Sequence, residues 1–197
     1  MSQLVDDTIE FAEYALHLKK GVVHRTTLLF LHGMKFNAQT WATLGTLETV
    51  QDEGFGVCAI DLPGFGESPQ ADVAPVQVVK QVILNQKLDK PILVGPSMGG
   101  KVSLAFSIAH PELVGVLVLL GAVAVEEVAE KLVDIKVPTL IVWGSEDAIS
   151  PIANANVLNN AIPDSNLVII QGAPHPCYLD QPDIWHWELT SFLKGNF

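Results

Sequence analysis

The sequence predicts an α/β fold in which a mostly parallel central sheet carries helices on both faces, with no cap domain. Two observations carry that expectation. Short runs of Val, Ile and Leu alternate with longer amphipathic stretches, the pattern of repeated βα units. Those runs are nearly continuous, as strands covered on both faces should be. Composition agrees, because 49% of the 197 residues are hydrophobic and only 17% are charged. Such a chain is too apolar to be disordered. One domain over residues 1–197 is long enough to bury a well-developed core.

Taken in order, Thr8–Lys19 alternates well enough for a strand pair at the sheet edge. Leu28–Leu31 is the first apolar run, and Gln39–Asp52 follows it as a helix. Gly56–Ile60 is the next strand, with Pro75–Lys87 as its helix. Pro91–Val94 leads into the helix Met98–Ala109, which stops before Pro111 as a proline boundary requires. Val116–Leu120 is short and β-branched, which favours a strand over a buried helical turn. Glu126–Leu132, Pro151–Asn160 and Pro182–Leu193 are the remaining helices, alternating with strands Thr139–Trp143 and Leu167–Ile170. Little chain separates Leu120 from Thr139, so nothing large is expected over the sheet's carboxyl edge there.

No apolar run reaches the roughly 20 residues of a membrane helix, despite the positive mean hydropathy. The first ten residues, MSQLVDDTIE, have neither a basic region nor an apolar core of a secretion signal. The formal net charge is −11, which repels nucleic acid and anionic lipid. Cys58 and Cys177 are too few for a disulfide framework and read as reduced thiols. Together these features point to a cytoplasmic protein without nucleic acid or membrane as partner, and a monomer is the expectation.

The feature that carries chemistry is Gly95-Pro96-Ser97-Met98-Gly99-Gly100. It lies between a strand and a helix, the setting of a G-x-S-x-G nucleophile elbow. Small residues are needed at Gly95 and Gly99 because the turn brings strand and helix too close for side chains. A serine at this place also suits a plain helix N-cap. The acid and the base of a serine triad should follow in chain order, each after a later strand. Asp147 stands in Gly144-Ser145-Glu146-Asp147, just after Thr139–Trp143. His175 ends Gln171-Gly172-Ala173-Pro174-His175, just after Leu167–Ile170. Glu146, Glu126 and Glu127 are rival acids, and an exposed turn is the ordinary place for such residues. His17, His24, His32, His110 and His186 do not follow the last strand.

Two backbone donors are needed for an oxyanion, the N–H after the nucleophile and one from the loop after the first central strand. These would be Met98 and Met34, with Gly33 allowing close approach. His32 is expected to anchor loops by hydrogen bonds and take no part in chemistry. Met34, Phe36, Met98, Ile149 and Tyr178 would line an apolar acyl slot, unless they belong to the core. Lys35 and Lys101 would face an anionic acceptor, unless they are simply solvated. No cofactor is implied, because no G-x-G-x-x-G is present and no metal-ligand spacing stands out.

Leu31-His32-Gly33 with Trp41, the run Asp61–Ser68, the Ser97 elbow, Gly144–Asp147 and His175 together resemble the α/β-hydrolase superfamily. Met34-Lys35-Phe36, Thr40-Trp41, Leu44–Leu47, Gly172–Asp180 and Trp185-His186 are similar, more narrowly, to its type 14 domain proteins, the CCG-interacting factor B-like group. The resemblance implies the α/β-hydrolase fold and a lidless hydrolase of small activated esters. It also implies that Trp41 packs beneath the oxyanion loop and that Asp61–Ser68 is a structural loop. Release of acetyl groups from lysine with coenzyme A as acceptor, a protein partner and a nuclear location are further implications of the resemblance. The elbow glycines and the short stretch from Ser68 to Val76 depart from the group's pattern, and they bear on the acyl pocket and the acceptor surface.

Overall fold

In the computed structural model, which describes residues 3–22 and 24–197, eight strands form one sheet in the order β1-β2-β4-β3-β5-β6-β7-β8. β1 (Val5–Glu10) and β2 (Ala15–Lys20) pair antiparallel as a hairpin, and β2 pairs antiparallel with β4 (Gly56–Ile60). All later neighbours are parallel: β3 (Thr27–Phe30), β5 (Ile92–Pro96), β6 (Val116–Leu120), β7 (Thr139–Gly144) and β8 (Ser165–Ile170). The expected fold class is therefore the observed one.

The continuous apolar runs are explained by the two faces of the sheet. Leu29, Leu93, Leu117, Leu119 and Ile141 point into one core, where α3 (Pro75–Asn85), α4 (Met98–Ala109) and α5 (Ile152–Ala161) pack. Leu28, Phe30, Val94, Val118 and Val142 point into the other, covered by α1 (Ala38–Thr43), α2 (Thr46–Asp52) and α7 (Pro182–Asn196). Side chains alternate with period two, so a strand between two helical layers has no position left for a polar residue.

Two expected helices differ from the observed ones. The stretch Gln39–Asp52 is two helices, α1 and α2, because Gly45 between them adopts φ +80°. That left-handed turn ends one helix and opens the next at a new angle. Residues Glu126–Leu132 lie in a 3₁₀ stretch, Val125–Asp134, rather than an α-helix. It is the only regular element between β6 and β7 among the described residues, and no separate cap domain covers the sheet edge there.

Strand order reverses around β3, whose neighbours β4 and β5 lie on opposite sides. Open α/β sheets bind ligands at such a switch point, outside the carboxyl ends of the strands. The loops after β3 and β4 are held there by Asp61, which is 2% exposed. Its Oδ1 accepts from the Ala38 N–H at 2.6 Å, and its Oδ2 accepts from the Glu67 N–H at 2.9 Å and His17 Nδ1 at 2.8 Å. The Ser68 hydroxyl donates to the Asp61 carbonyl and accepts from the His17 N–H. The segment Asp61–Ser68 is thus a knot tying the loop after β4 to β2 and to the start of α1.

Replacing Asp61 by Ala leaves these buried donors without an acceptor. Loss of one member of a buried charged network costs about 3 kcal/mol, which is roughly 10 °C in Tm for a chain of this size. A thermal melt of Asp61→Ala within about 2 °C of the wild type would show that the knot is dispensable.

Candidate active site

Ser97 joins β5 to α4 in a backbone conformation of φ +49°, ψ −114°. A side chain with a Cβ avoids that region, and occupying it costs about 1–3 kcal/mol. The turn persists because its backbone is tied on three sides. The Ser97 N–H donates to the Leu120 carbonyl at 2.8 Å, and its own carbonyl accepts from Lys101 and Val123. Contact distances explain the flanking glycines. A Cβ on Gly95 would stand 2.4 Å from the Gly99 carbonyl oxygen, and one on Gly99 would stand 2.8 Å from the His32 carbonyl oxygen. The Ser97 side chain makes no N-cap hydrogen bond to α4. A serine placed for capping would hold extended backbone and bond the helix, and this one does neither.

Asp147 and His175 come from the loops after β7 and β8. The Asp147 carboxylate is buried and fully bonded: Oδ1 accepts from the N–H groups of Ile149 (2.9 Å) and Ser150 (2.7 Å), and Oδ2 meets His175 Nδ1 at 2.8 Å. A carboxylate facing Nδ1 places the proton there, so the neutral ring keeps a lone pair on Nε2. Ser150 in turn fixes the loop, donating from Oγ to the Ala122 carbonyl and accepting from Trp143 Nε1 at its own carbonyl. The rival acids stand elsewhere. Glu146 and Glu126 are exposed, and Glu127 pairs with Lys101.

The loop after β3 passes close to Ser97, since a Cβ on Gly33 would lie 3.6 Å from Ser97 Cβ. His32 staples that loop to the one after β4. Its Nε2 accepts from the Leu62 N–H at 3.0 Å, and its Nδ1 donates to the Gly33 carbonyl at 2.8 Å. This fixes a neutral Nδ1–H tautomer, and burial holds the ring's pKa below its ordinary value. Beneath the loop, Trp41 donates from Nε1 to the Leu31 carbonyl and stacks on Tyr178 with centroids 4.9 Å apart. Among the described residues, no backbone carbonyl accepts from the Met34 N–H. The Met98 N–H opens α4 and has no intrahelical partner.

These groups converge on a cavity of about 390 Å³ lined by Gly33, Met34, Lys35, Phe36, Ser97, Met98, Val123, Ile149, His175, Pro176 and Tyr178. Of the side chains expected to form an acyl slot, all five reach it. Tyr178 does so from the core, being 1% exposed. Met34 and Ile149, by contrast, are 67% and 66% exposed and form its rim. Val123 and Pro176 were not anticipated. Both follow strands and carry no chemistry of their own, so no residue signal distinguishes them. Lys101 is absent from the lining and ion-paired with Glu127. Cys177 is buried two residues past His175. Burial pushes its thiol up to about 12, as it does for Cys58, so neither is a nucleophile at neutral pH. Among the described residues, no group of three His, Cys, Asp or Glu side chains is placed to hold a metal ion. Nor is any helix long and apolar enough to cross a membrane.

Comparison with known proteins agrees with this architecture. Residues 26–134 match the family model described as the alpha/beta hydrolase fold. The candidate protein-lysine deacylase ABHD14B of Homo sapiens is 34% identical over 179 residues, covering 87% of this chain and 84% of that protein. Its counterpart in Pongo abelii is 33% identical, covering 96% of this chain and 95% of that protein. ABHD14A of Rattus norvegicus is 34% identical over 86% of this chain and 72% of its own length. Among solved structures, a CIB-like hydrolase from Thermoplasma acidophilum superposes with a TM-score of 0.95 at 24% identity, covering 99% of this chain and 100% of that one.

Two outcomes follow from the geometry. Glycine is free of the penalty at φ +49°, so Ser97→Gly should be about 1 kcal/mol more stable than Ser97→Ala. That is roughly 3 °C in Tm, and an Ala variant equal or superior to Gly would mean the turn is unstrained. His32 binds its proton less readily folded than unfolded, so stability is full above an unfolded pKa of about 6.5 and is lost as pH falls below it. Urea midpoints measured from neutral to mildly acid pH should fall less steeply in His32→Gln than in the wild type. Equal slopes would remove His32 from that linkage.

Proposed function

This chain belongs to the α/β-hydrolase fold family and stands with its type 14 relatives, and on that premise we propose that it is a serine hydrolase of small acyl esters. The observation that carries the proposal is the hydrogen bond between Asp147 and His175 at the cavity that also holds an uncapped, strained Ser97. In this reading His175 Nε2 takes the proton from Ser97 Oγ as the oxygen attacks a carbonyl carbon. Asp147 keeps the imidazole in the required tautomer and stabilises its charged form. The N–H groups of Met34 and Met98 donate to the oxyanion, each worth about 3 kcal/mol of barrier. His175 then gives its proton to the leaving alcohol, and the acyl group stays on Ser97 Oγ. Water attacks the acyl-enzyme, losing a proton to His175, and the acid leaves as Ser97 recovers its hydrogen.

Phe36, Ile149 and Tyr178 are the residues proposed to contact the acyl chain. With an exposed rim and no cap domain, little encloses a long one. The relatives' name supports a second reading in which the acyl group is carried by a lysine side chain. The chemistry at Ser97 is the same, with an amine as leaving group and water or coenzyme A as acceptor. We place the protein in the cytoplasm as a monomer acting on a small acyl substrate, away from nucleic acid and membrane, in keeping with its charge of −11.

The test is turnover of p-nitrophenyl esters of increasing acyl length by the purified protein. Short chains should react faster than dodecanoyl, Ser97→Ala should abolish both turnover and fluorophosphonate labelling, and Asp147→Asn should lower kcat roughly 10³–10⁴-fold. Persistent labelling of Ser97→Ala would remove Ser97 as nucleophile. No turnover of any short ester, with tight binding of a ligand instead, would make the fold a receptor.

A further inference from the structure

The cavity is lined by one lysine, and that lysine has no ion pair among the described residues. Lys35 lies at the rim between Met34 and Phe36, on a tight turn closed by the Phe36 N–H donating to the Gly33 carbonyl at 3.1 Å. Four of the other lysines are ion-paired, Lys19 with Asp6, Lys20 with Asp7, Lys101 with Glu127 and Lys194 with Glu53, and none of these four lines the cavity. No carboxylate lines the cavity, because the Asp147 oxygens are buried behind His175 and the N–H groups of Ile149 and Ser150. The apolar wall therefore adjoins an exposed, unpaired lysine, on a protein whose formal charge is −11. A distributed negative surface discourages anions in general, whereas a local cation beside the reacting centre favours one anion held in one place.

We infer that Lys35 is a specificity-determining residue that selects substrates bearing an anionic group, a carboxylate or similar acid, within a side chain's length of the reacting carbonyl. The inference rests on the serine-hydrolase reading of the cavity. The wall and the charge then share the work: Phe36, Met98 and Ile149 receive the apolar part, and Lys35 receives the acid at the opening. The anion could belong to the acyl half or to the leaving group, and matched substrate pairs distinguish these sources.

For the acyl half, kcat/KM is measured for mono-p-nitrophenyl glutarate and for p-nitrophenyl butyrate. For the leaving group, p-acetoxybenzoate is compared with phenyl acetate. The readout is the anionic-to-neutral ratio in each pair at low salt. In the wild type one of the two ratios should exceed that of Lys35→Gln about fivefold, the size expected of one partly exposed ion pair. Lys35→Arg should keep most of that ratio, Lys35→Glu should lie below Lys35→Gln, and added salt should bring wild type and Lys35→Gln together. Ratios in both pairs that are the same for wild type, Lys35→Gln and Lys35→Glu overturn the inference. Failure of the wild type to turn over any of the four esters overturns the serine-hydrolase reading instead, so the two failures are distinguishable.

Discussion

Ser97 occupies a backbone conformation that no isolated serine would choose, and the surrounding architecture is what keeps it there. The turn has to reverse the chain between β5 and α4 within a few residues, so strand and helix approach to within contact of bare backbone. At Gly95, Gly99 and Gly100 that approach leaves no room for a side chain. Bonds from Ser97 to Leu120, Lys101 and Val123 connect the strained residue to the next strand, the helix it opens and the loop beyond β6. Strain of about 1–3 kcal/mol is sustained by those neighbours, and the result is a hydroxyl lifted off the sheet edge, free of the capping bond that would otherwise occupy it.

The loops around that hydroxyl are fixed by buried polar groups rather than by packing alone. Asp147 spends one carboxylate oxygen on the backbone of its own loop and the other on His175. Asp61 does the same for the opposite wall, bonding Ala38, Glu67 and His17. His32 bridges the ends of β3 and β4, and its burial favours the neutral ring. Each of these groups is satisfied, which is the condition under which a buried polar network rigidifies a structure. Loops held this way keep a pocket in shape without a lid, leaving Met34, Ile149 and Lys35 open at the rim.

Much of this was legible in the sequence because the strands are buried on both faces. Val116–Leu120 and Gly56–Ile60 begin and end where their apolar runs do, since no other element can hold so dense a run at that length. Positions of the loop residues followed, because strand ends fix where Asp147 and His175 can stand. The helix boundary at Gly45 was missed for a local reason: the periodicity of Gln39–Asp52 survives a break that changes direction without changing the buried face. The 3₁₀ stretch at Val125–Asp134 was missed because its spacing resembles an α-helix over a few residues. Asp61 could be read only as part of a loop. Its partner His17 lies 44 residues earlier on another strand, and no pattern in the chain connects them. The fate of Lys101 was equally hidden, as its pairing with Glu127 depends on how the loop after β6 folds over α4.

The central claim is that the sheet's carboxyl edge assembles one nucleophile, one base and two backbone donors around a single carbonyl. A crystal structure of the protein after reaction with a phosphonate ester tests it most directly. The account predicts one covalent bond, from phosphorus to Ser97 Oγ, with the phosphoryl oxygen within hydrogen-bond distance of the Met34 and Met98 N–H groups and His175 Nε2 facing the adduct. An adduct on another residue, or a phosphoryl oxygen turned to solvent with both N–H groups unengaged, would contradict it.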